Sequence, residues 1–361
     1  MKQILRILIA LIFIASGFVK AVDVIGFSFK MEEYFAPGVF NIPFLEKQAV
    51  LLAIFMVVLE LVLGFLLLIK VRLKVTISLL IAMCVFFGFL TFYSAYFNVV
   101  TDCGCFGDAL KFTPWQSFWK DIVLLVGLII LYFLYRNELN EPEEKSNLKK
   151  LASLLAFAVM VLIIYWGVAH EPLIDFRHYK IGTDLNAEKA KIEKDPSEYK
   201  TFYSMKNEKT GDVLNVNQDD YVNDKKYWEE GSPWKIEEGK TTSKIVKQGY
   251  ESEISKFKPE TPDGISLTEE ILKAPKAVLI FSYHPDKIDE ALLAKTEAKV
   301  KSQKNAFVAG VSTNPNTFKT INNAMMDGTA IKTIARSNPF VLTLQNGKIV
   351  DKKSAEDYLK Q

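Results

Sequence analysis

The segment Thr101-Asp102-Cys103-Gly104-Cys105-Phe106-Gly107-Asp108 sets two thiols one residue apart, and the flexible Gly104 between them is what would let them meet. A bridge between residues i and i+2 closes a small ring that departs from relaxed disulfide geometry, so such a bond is strained and readily reduced. That is redox chemistry rather than stapling, with Cys103 and Cys105 as the reacting thiols and Gly104 and Asp108 supporting them. The competing reading is a pair of free or metal-binding thiols capping a helix. Two thiolates supply only half of a tetrahedral zinc shell, and no nearby histidine completes it, so no metal site is expected. The third cysteine, Cys84, falls inside an apolar run, where a lone cysteine is normally a small packing residue.

Two ionisable side chains also fall inside apolar runs, where charge is expensive and points to function: Lys20 and the deeper Glu60. Lys20 can snorkel to an interface with no other purpose. Glu60 can pair with a basic group or a hydroxyl, be protonated, or relay protons during thiol chemistry, and Gly64 beside it offers close helix packing.

These residues are positioned by apolar stretches long enough to cross a bilayer, whose core of about 30 Å needs roughly 20 residues of helix. Five qualify, at about 4–22, 48–69, 73–96, 118–135 and 149–168, and each must be helical because lipid offers the backbone no partners. The first lacks a clear small-x-small cleavage site and carries Lys20, so it reads as a span rather than a signal peptide. Lys2 and Arg6, then Lys70, Arg72 and Lys74, then Arg136, Lys145, Lys149 and Lys150 mark the cytoplasmic side. The N-terminus is then inside, while loops 23–47 and 97–117 and the C-terminal half lie outside. In a bacterium this describes a multi-pass protein of the inner membrane facing the periplasm, where disulfides persist.

The average composition of the 361 residues, 50% hydrophobic with a net charge of +2, conceals two unlike halves. Residues 1–168 hold nearly all the long apolar runs, and 176–361 read as a polar globular sequence without cysteine. No basic stripe with interleaved aromatics suggests a nucleic-acid partner. Residues 176–262 read as a mostly extended insert with hairpins, punctuated by turns at Lys209-Thr210-Gly211-Asp212 and Glu230-Gly231-Ser232-Pro233. From 263 the pattern becomes helix 267–273, strand 277–283, helix 287–302, strand 306–312, helix 315–326, strand 340–345, a turn at Asn346-Gly347, strand 348–351 and helix 353–360. That order is an α/β domain.

Residues 1–137 resemble the MauE branch of the DoxX-like membrane proteins. The resemblance rests on Ser16-Gly17-Phe18-Val19-Lys20-Ala21-Val22-Asp23 with Gly26 and Lys30, on Glu60-Leu61-Val62-Leu63-Gly64, and on Cys103 to Asp108 followed by Trp115 and Lys120-Asp121. It implies a four-helix bundle similar to DsbB and vitamin K epoxide reductase, a place in methylamine utilisation, and assistance to disulfide formation in a periplasmic protein. It also implies Cys103 and Cys105 as the redox pair and a quinone as candidate cofactor. Where such oxidases carry two cysteine pairs, this chain has one pair plus Cys84. The whole layout, with 138–175 as a linker and fifth span, resembles a fused DoxX family of Bacteroidetes.

Residues 263–361 resemble a thioredoxin fold, with Lys276 to Tyr283 as the central strand and Ser337-Asn338-Pro339-Phe340 leading into the closing hairpin. The resemblance implies a cis peptide before Pro339. Ser282-Tyr283-His284-Pro285-Asp286 stands where such folds carry Cys-x-x-Cys, so this domain cannot exchange disulfides. His284 with no nucleophile beside it reads as a solvated loop residue; its other roles would be a general base or contact with a partner, the latter together with the groove beside Pro339.

The fold class expected is thus a membrane α-helical bundle of four helices plus a fifth span, followed by an extracytoplasmic thioredoxin-like α/β domain. The function expected is a membrane-anchored thiol-disulfide factor acting on a periplasmic client protein. The alternatives are a non-enzymatic scaffold of an envelope complex and a small-molecule or quinone carrier built around Glu60 and Lys20.

Overall fold

The computed structural model describes residues 2–100, 104, 106–139, 146–237 and 239–361. Cys103 and Cys105, with Thr101, Asp102 and Lys145, lie outside the described residues.

The N-terminal half is helical: α1 (Lys2–Val22), α2 (Val24–Phe35), α3 (Pro43–Lys47), α4 (Ala49–Leu68), α5 (Leu73–Phe97), α6 (Pro114–Leu134) and α7 (Asn147–Ala169). Among the described residues, five helices are long and apolar enough to cross a membrane: α1, α4, α5, α6 and α7. Their ends follow local chemistry. Thr113 and Gln116 form a capping box with Pro114 in the first turn of α6, and Asp23 caps α2 by accepting from Gly26 N–H at 2.9 Å.

Small residues let the spans approach. A Cβ on Gly17 of α1 would lie 2.9 Å from the Leu61 side chain of α4, and one on Gly64 of α4 would lie 3.2 Å from the Ile14 backbone nitrogen. The α1–α4 crossing therefore depends on a glycine from each helix, as expected where packing rather than apolar burial drives association in lipid. Likewise a Cβ on Gly167 of α7 would meet the Val22 carbonyl oxygen at 2.9 Å. One apolar core gathers Phe13, Leu67, Ile77, Leu80 and Leu128. A second gathers Phe27, Met31, Tyr34, Ala53, Val57 and Ile164, so α2 is part of the bundle. The expectation from sequence is a loop over 23–47, and α2 replaces it. The apolar face that organises α2 was hidden there by Lys30, Glu32 and Glu33 on its other side.

Residues Thr183–Lys258 form a compact unit of their own. It holds α8 (Leu185–Lys194), β1 (Glu198–Asn207), β2 (Val213–Asn217), α9 (Gln218–Asn223), β3 (Trp234–Ile236) and β4 (Thr242–Lys247). The long β1 pairs antiparallel with all three other strands, with β4 along its first half and β3 at its end.

The remainder is an α/β domain made of α10 (Thr268–Lys273), β5 (Ala277–Ser282), α11 (Glu290–Lys301), β6 (Phe307–Ser312), β7 (Asn322–Met325), α12 (Gly328–Ile334), β8 (Phe340–Gln345), β9 (Lys348–Ser354) and α13 (Ala355–Leu359). The sheet order is β7-β6-β5-β8-β9. β5 is parallel to β6 and antiparallel to β8, and its six residues are all buried, as the central strand of a two-sided sheet requires. The Asn338–Pro339 peptide is cis.

The helix expected at 315–326 is absent. Phe318 instead lies over Gly310, where a Cβ would come within 2.2 Å of its ring. The buried Glu297 carboxylate takes the N–H groups of Lys319 and Thr320 at 3.2 and 2.7 Å. With those donors committed, the chain runs extended into β7, which pairs in parallel with β6, and the helix forms one step later as α12, capped by Asp327.

Candidate functional site

The described residues of the cysteine motif lie at the α1–α2 corner. Gly104 has φ +62° and sits against Lys30 of α2, whose Cγ would be 2.8 Å from an added Cβ. A side chain at 104 would have to displace Lys30, so the backbone form and the close approach both ask for glycine. Gly107, at φ +50°, donates its N–H to the Gly104 carbonyl at 3.0 Å. The Phe106 ring lies 5.6 Å from the Lys120 ammonium and is edge-on to Phe112.

Asp108 closes the motif by accepting from Arg336, at 2.6 Å to Nη2. The Nε of the same guanidinium donates to both carboxylate oxygens of Asp23 at 2.8 Å each, and its Nη1 donates to the Lys332 carbonyl. Arg336 is almost wholly buried at 4% side-chain exposure, so a planar donor set satisfied on three sides is what makes its charge tolerable there. Burial pushes the Asp23 carboxyl up, but Arg336, then Arg177 and the Gly26 N–H, outweigh it and hold the group below its ordinary value.

Arg336 follows α12 and directly precedes Ser337-Asn338-Pro339. The proline loop is braced within its own domain: Ser282 Oγ donates to Asn338 Oδ1 at 2.7 Å, and Asn338 Nδ2 donates to the His284 carbonyl at 2.8 Å. This face of the α/β domain lies on α2. Phe29 packs edge-on to Tyr283 with ring centres 5.0 Å apart, and the charges of Lys332 and Arg336 lie 4.9 and 5.6 Å from its ring centre. Glu32 pairs with Lys332 at 2.7 Å and faces His284 Nε2 at 3.7 Å, so His284 looks onto a carboxylate rather than open solvent. Burial works against the charge on Glu32, and His284 and Lys332 overcome it and hold the carboxyl below its usual range.

A second network anchors the chain that leaves α7. The buried Arg177 donates to Glu171 at 2.5 Å, to Asp175 at 2.7 and 2.9 Å, and to the Ile334 carbonyl at 2.9 Å. Lys352 of β9 reaches Asp175 at 2.6 Å. Burial, with Arg177 close by, brings the Lys352 ammonium down to about 8 against the pull of Asp175 and Glu171.

Inside the bundle, Lys20 and Glu60 form an ion pair at 2.7 Å with 4% side-chain exposure each, and Lys20 also donates to Ser16 at 3.0 Å. The Lys20 ammonium therefore points into the bundle rather than out of it. Lys120 and Asp121 pair at 2.8 Å, and Thr91 lies 3.5 Å from Asp121. These groups line one cavity with Cys84, Tyr34 and Phe106, so Cys84 borders a polar space as well as the apolar core.

Of the residues singled out from sequence, the structure joins Lys20 to Glu60, and places Gly104 and Asp108 together at the α1–α2 corner. His284 and the loop of Pro339 come to α2 from the other end of the chain. The residues that sequence reasoning missed are Arg336, Phe29, Glu32 and Arg177. The one signal for Arg336 was its place just before the proline loop.

Residues 1–134 match the family model described as methylamine utilisation protein MauE. Protein TlpB of Flavobacterium psychrophilum is 30% identical to the chain over 154 residues, which is 40% of this chain and 38% of that protein. The chain thus spans about two fifths of the length of this curated relative. No solved structure matches the chain.

Proposed function

We propose that this protein is a membrane-embedded thiol-disulfide factor whose reacting pair is Cys103 and Cys105, acting on envelope proteins from the extracytoplasmic side of a bacterial inner membrane. The observation that carries this reading is the hold on the motif: Gly104 is seated against Lys30 and Asp108 is bonded to the buried Arg336. A cation near a thiol favours the thiolate, which is the species that reacts, and the Arg336 guanidinium binds the motif's own Asp108. The MauE match over the bundle supports the same reading. The α/β domain carries no cysteine. Its sheet order supports its reading as a thioredoxin-like domain without a redox step of its own. The excess of Lys and Arg at the other ends of the spans supports the orientation.

The exchange runs as follows. A client thiolate attacks one sulfur of the oxidised Cys103–Cys105 pair, breaking that bond and forming a mixed disulfide while the other cysteine leaves as thiolate. A second client thiolate attacks the mixed disulfide, so the client gains a disulfide and the pair gains two electrons and ends as dithiol. The reverse sequence, with a client disulfide as oxidant, reoxidises the pair. No step of this exchange needs a quinone.

The test uses the full chain in lipid nanodiscs, oxidised and then mixed with excess of a reduced peptide carrying two cysteines, with no other oxidant present. The expected result is about one equivalent of peptide disulfide per chain, and none from Cys103→Ser or Cys105→Ser. Equal peptide oxidation by the wild type and both variants sinks the proposal.

A further inference from the structure

We infer that the α/β domain serves the cysteine motif of its own chain, with Arg336 as the residue that positions the motif and sets its charge environment. This rests on the reading of Cys103 and Cys105 as a redox pair. In the layout expected from sequence, the groove beside Pro339 would recruit a client. The structure gives that face another occupant. Tyr283 lies on Phe29, Lys332 and His284 face Glu32, and Arg336 reaches past both to Asp23 and Asp108. Each of these bundle groups belongs to α2, its cap or the cysteine motif. The α/β domain is in turn fixed from behind: Arg177 ties Glu171 and Asp175 to the Ile334 carbonyl at the end of α12, two residues before Arg336.

The charges around Arg336 decide what it does. Two acids face its guanidinium, Asp23 from the α1–α2 corner and Asp108 from the motif, while Glu32 lies one helical turn away on Lys332. Arg177 adds positive charge near Asp23, and Lys30, whose stem packs on Gly104, has its ammonium paired with Glu33 at 3.0 Å. Removing Arg336 leaves two carboxylates without their cation, one of them Asp108 of the motif itself, whereas removing the Asp108 charge leaves Arg336 compensated by Asp23 alone. The two changes alter local charge in opposite directions although both loosen the motif.

The experiment equilibrates the full chain in nanodiscs with glutathione buffers and reads the fraction of the Cys103–Cys105 pair that is oxidised. A cation stabilises the thiolates of the reduced form, as in strongly oxidising dithiol proteins. Arg336→Gln is therefore expected to raise the equilibrium constant for oxidation about threefold or more, and Asp108→Asn to lower it by a similar factor, with Arg336→Lys near wild type. A motif that is merely braced would shift the same way in both variants. That outcome, or no shift in either while the wild type titrates normally, overturns the inference and leaves the redox reading standing.

If the wild-type pair does not titrate, the redox reading fails, and alkylation of Cys103 and Cys105 by a membrane-impermeant maleimide decides the inference. Faster labelling in Arg336→Gln than in wild type keeps the positioning role, and equal labelling removes it. Asp108→Asn preserves the Arg336–Asp23 bonds, so it reports even if Arg336→Gln loses the docked domain.

Discussion

The Lys20–Glu60 pair and the Arg336 bridge are both nearly dry, yet they join different levels of the fold. Lys20 and Glu60 come from α1 and α4, helices already held together by Gly17 and Gly64, and their charges cancel one to one inside the bundle. Arg336 comes from the far end of the chain and serves two acids on two separate segments. Charge inside a bundle that has packed by shape is a feature of a finished interior. Charge that spans 313 positions of sequence decides whether two parts of the molecule meet at all. The contrast predicts that damage to the first is felt as stability of the whole bundle, and damage to the second as loss of docking with the bundle intact.

The largest effect should come from Glu60→Ala, which strands the Lys20 ammonium in an apolar surrounding. A loss of about 3–5 kcal/mol is expected from breaking a buried pair, measured by thermal unfolding in detergent. The double variant Lys20→Met with Glu60→Leu should recover most of it, and an unchanged melting temperature in Glu60→Ala would remove the pair from the account. Next, Gly64→Val drives a side chain into the α1 backbone and should cost about 1–3 kcal/mol in the same assay. A Gly64→Val protein as stable as wild type would show that the α1–α4 crossing does not need its glycine.

Phe29→Ala tests the other side of the comparison. It removes the ring between Tyr283, Lys332 and Arg336, for about 0.5–1.5 kcal/mol of docking free energy. Amide exchange of α12 should speed up while that of α4 and α5 stays unchanged; equal acceleration in all three would erase the distinction.

The smallest effect near neutrality is that of acid. Asp23 and Glu32 both titrate below their ordinary values in the docked state, so the undocked state takes up protons first as pH falls. Their contribution is complete above the ordinary carboxylate range of about 4 to 4.5 and is lost progressively below it. Protease sensitivity of the α/β domain should therefore rise only under about pH 4.5, and Asp23→Asn should remove part of that dependence. A docking loss centred near neutral pH would contradict the assignment.

Much of the bundle was legible because the bilayer forces its elements: Glu60 and Lys20 stood out as charges inside apolar runs, and the spans fell where hydropathy placed them. The central strand and the closing hairpin were legible for the same reason, a continuous apolar run and an Asn346-Gly347 turn. β7 was not, since its Asn322-Asn323 start has no strand character, and what makes it extended is Glu297, a carboxylate on a different helix. Arg336 was illegible for the strongest reason. No local pattern ties an arginine after α12 to an aspartate that caps α2, and only the folded chain brings them together.

The central claim is that Cys103 and Cys105 form a reversible redox pair held by their own α/β domain. The most direct measurement is a redox titration of the full-length chain in its membrane, trapping free thiols with a mass-tagging reagent at a series of imposed potentials. The account predicts that the pair titrates reversibly between dithiol and disulfide at a relatively oxidising potential. A pair that stays reduced throughout, or forms a bond that resists reduction, contradicts it.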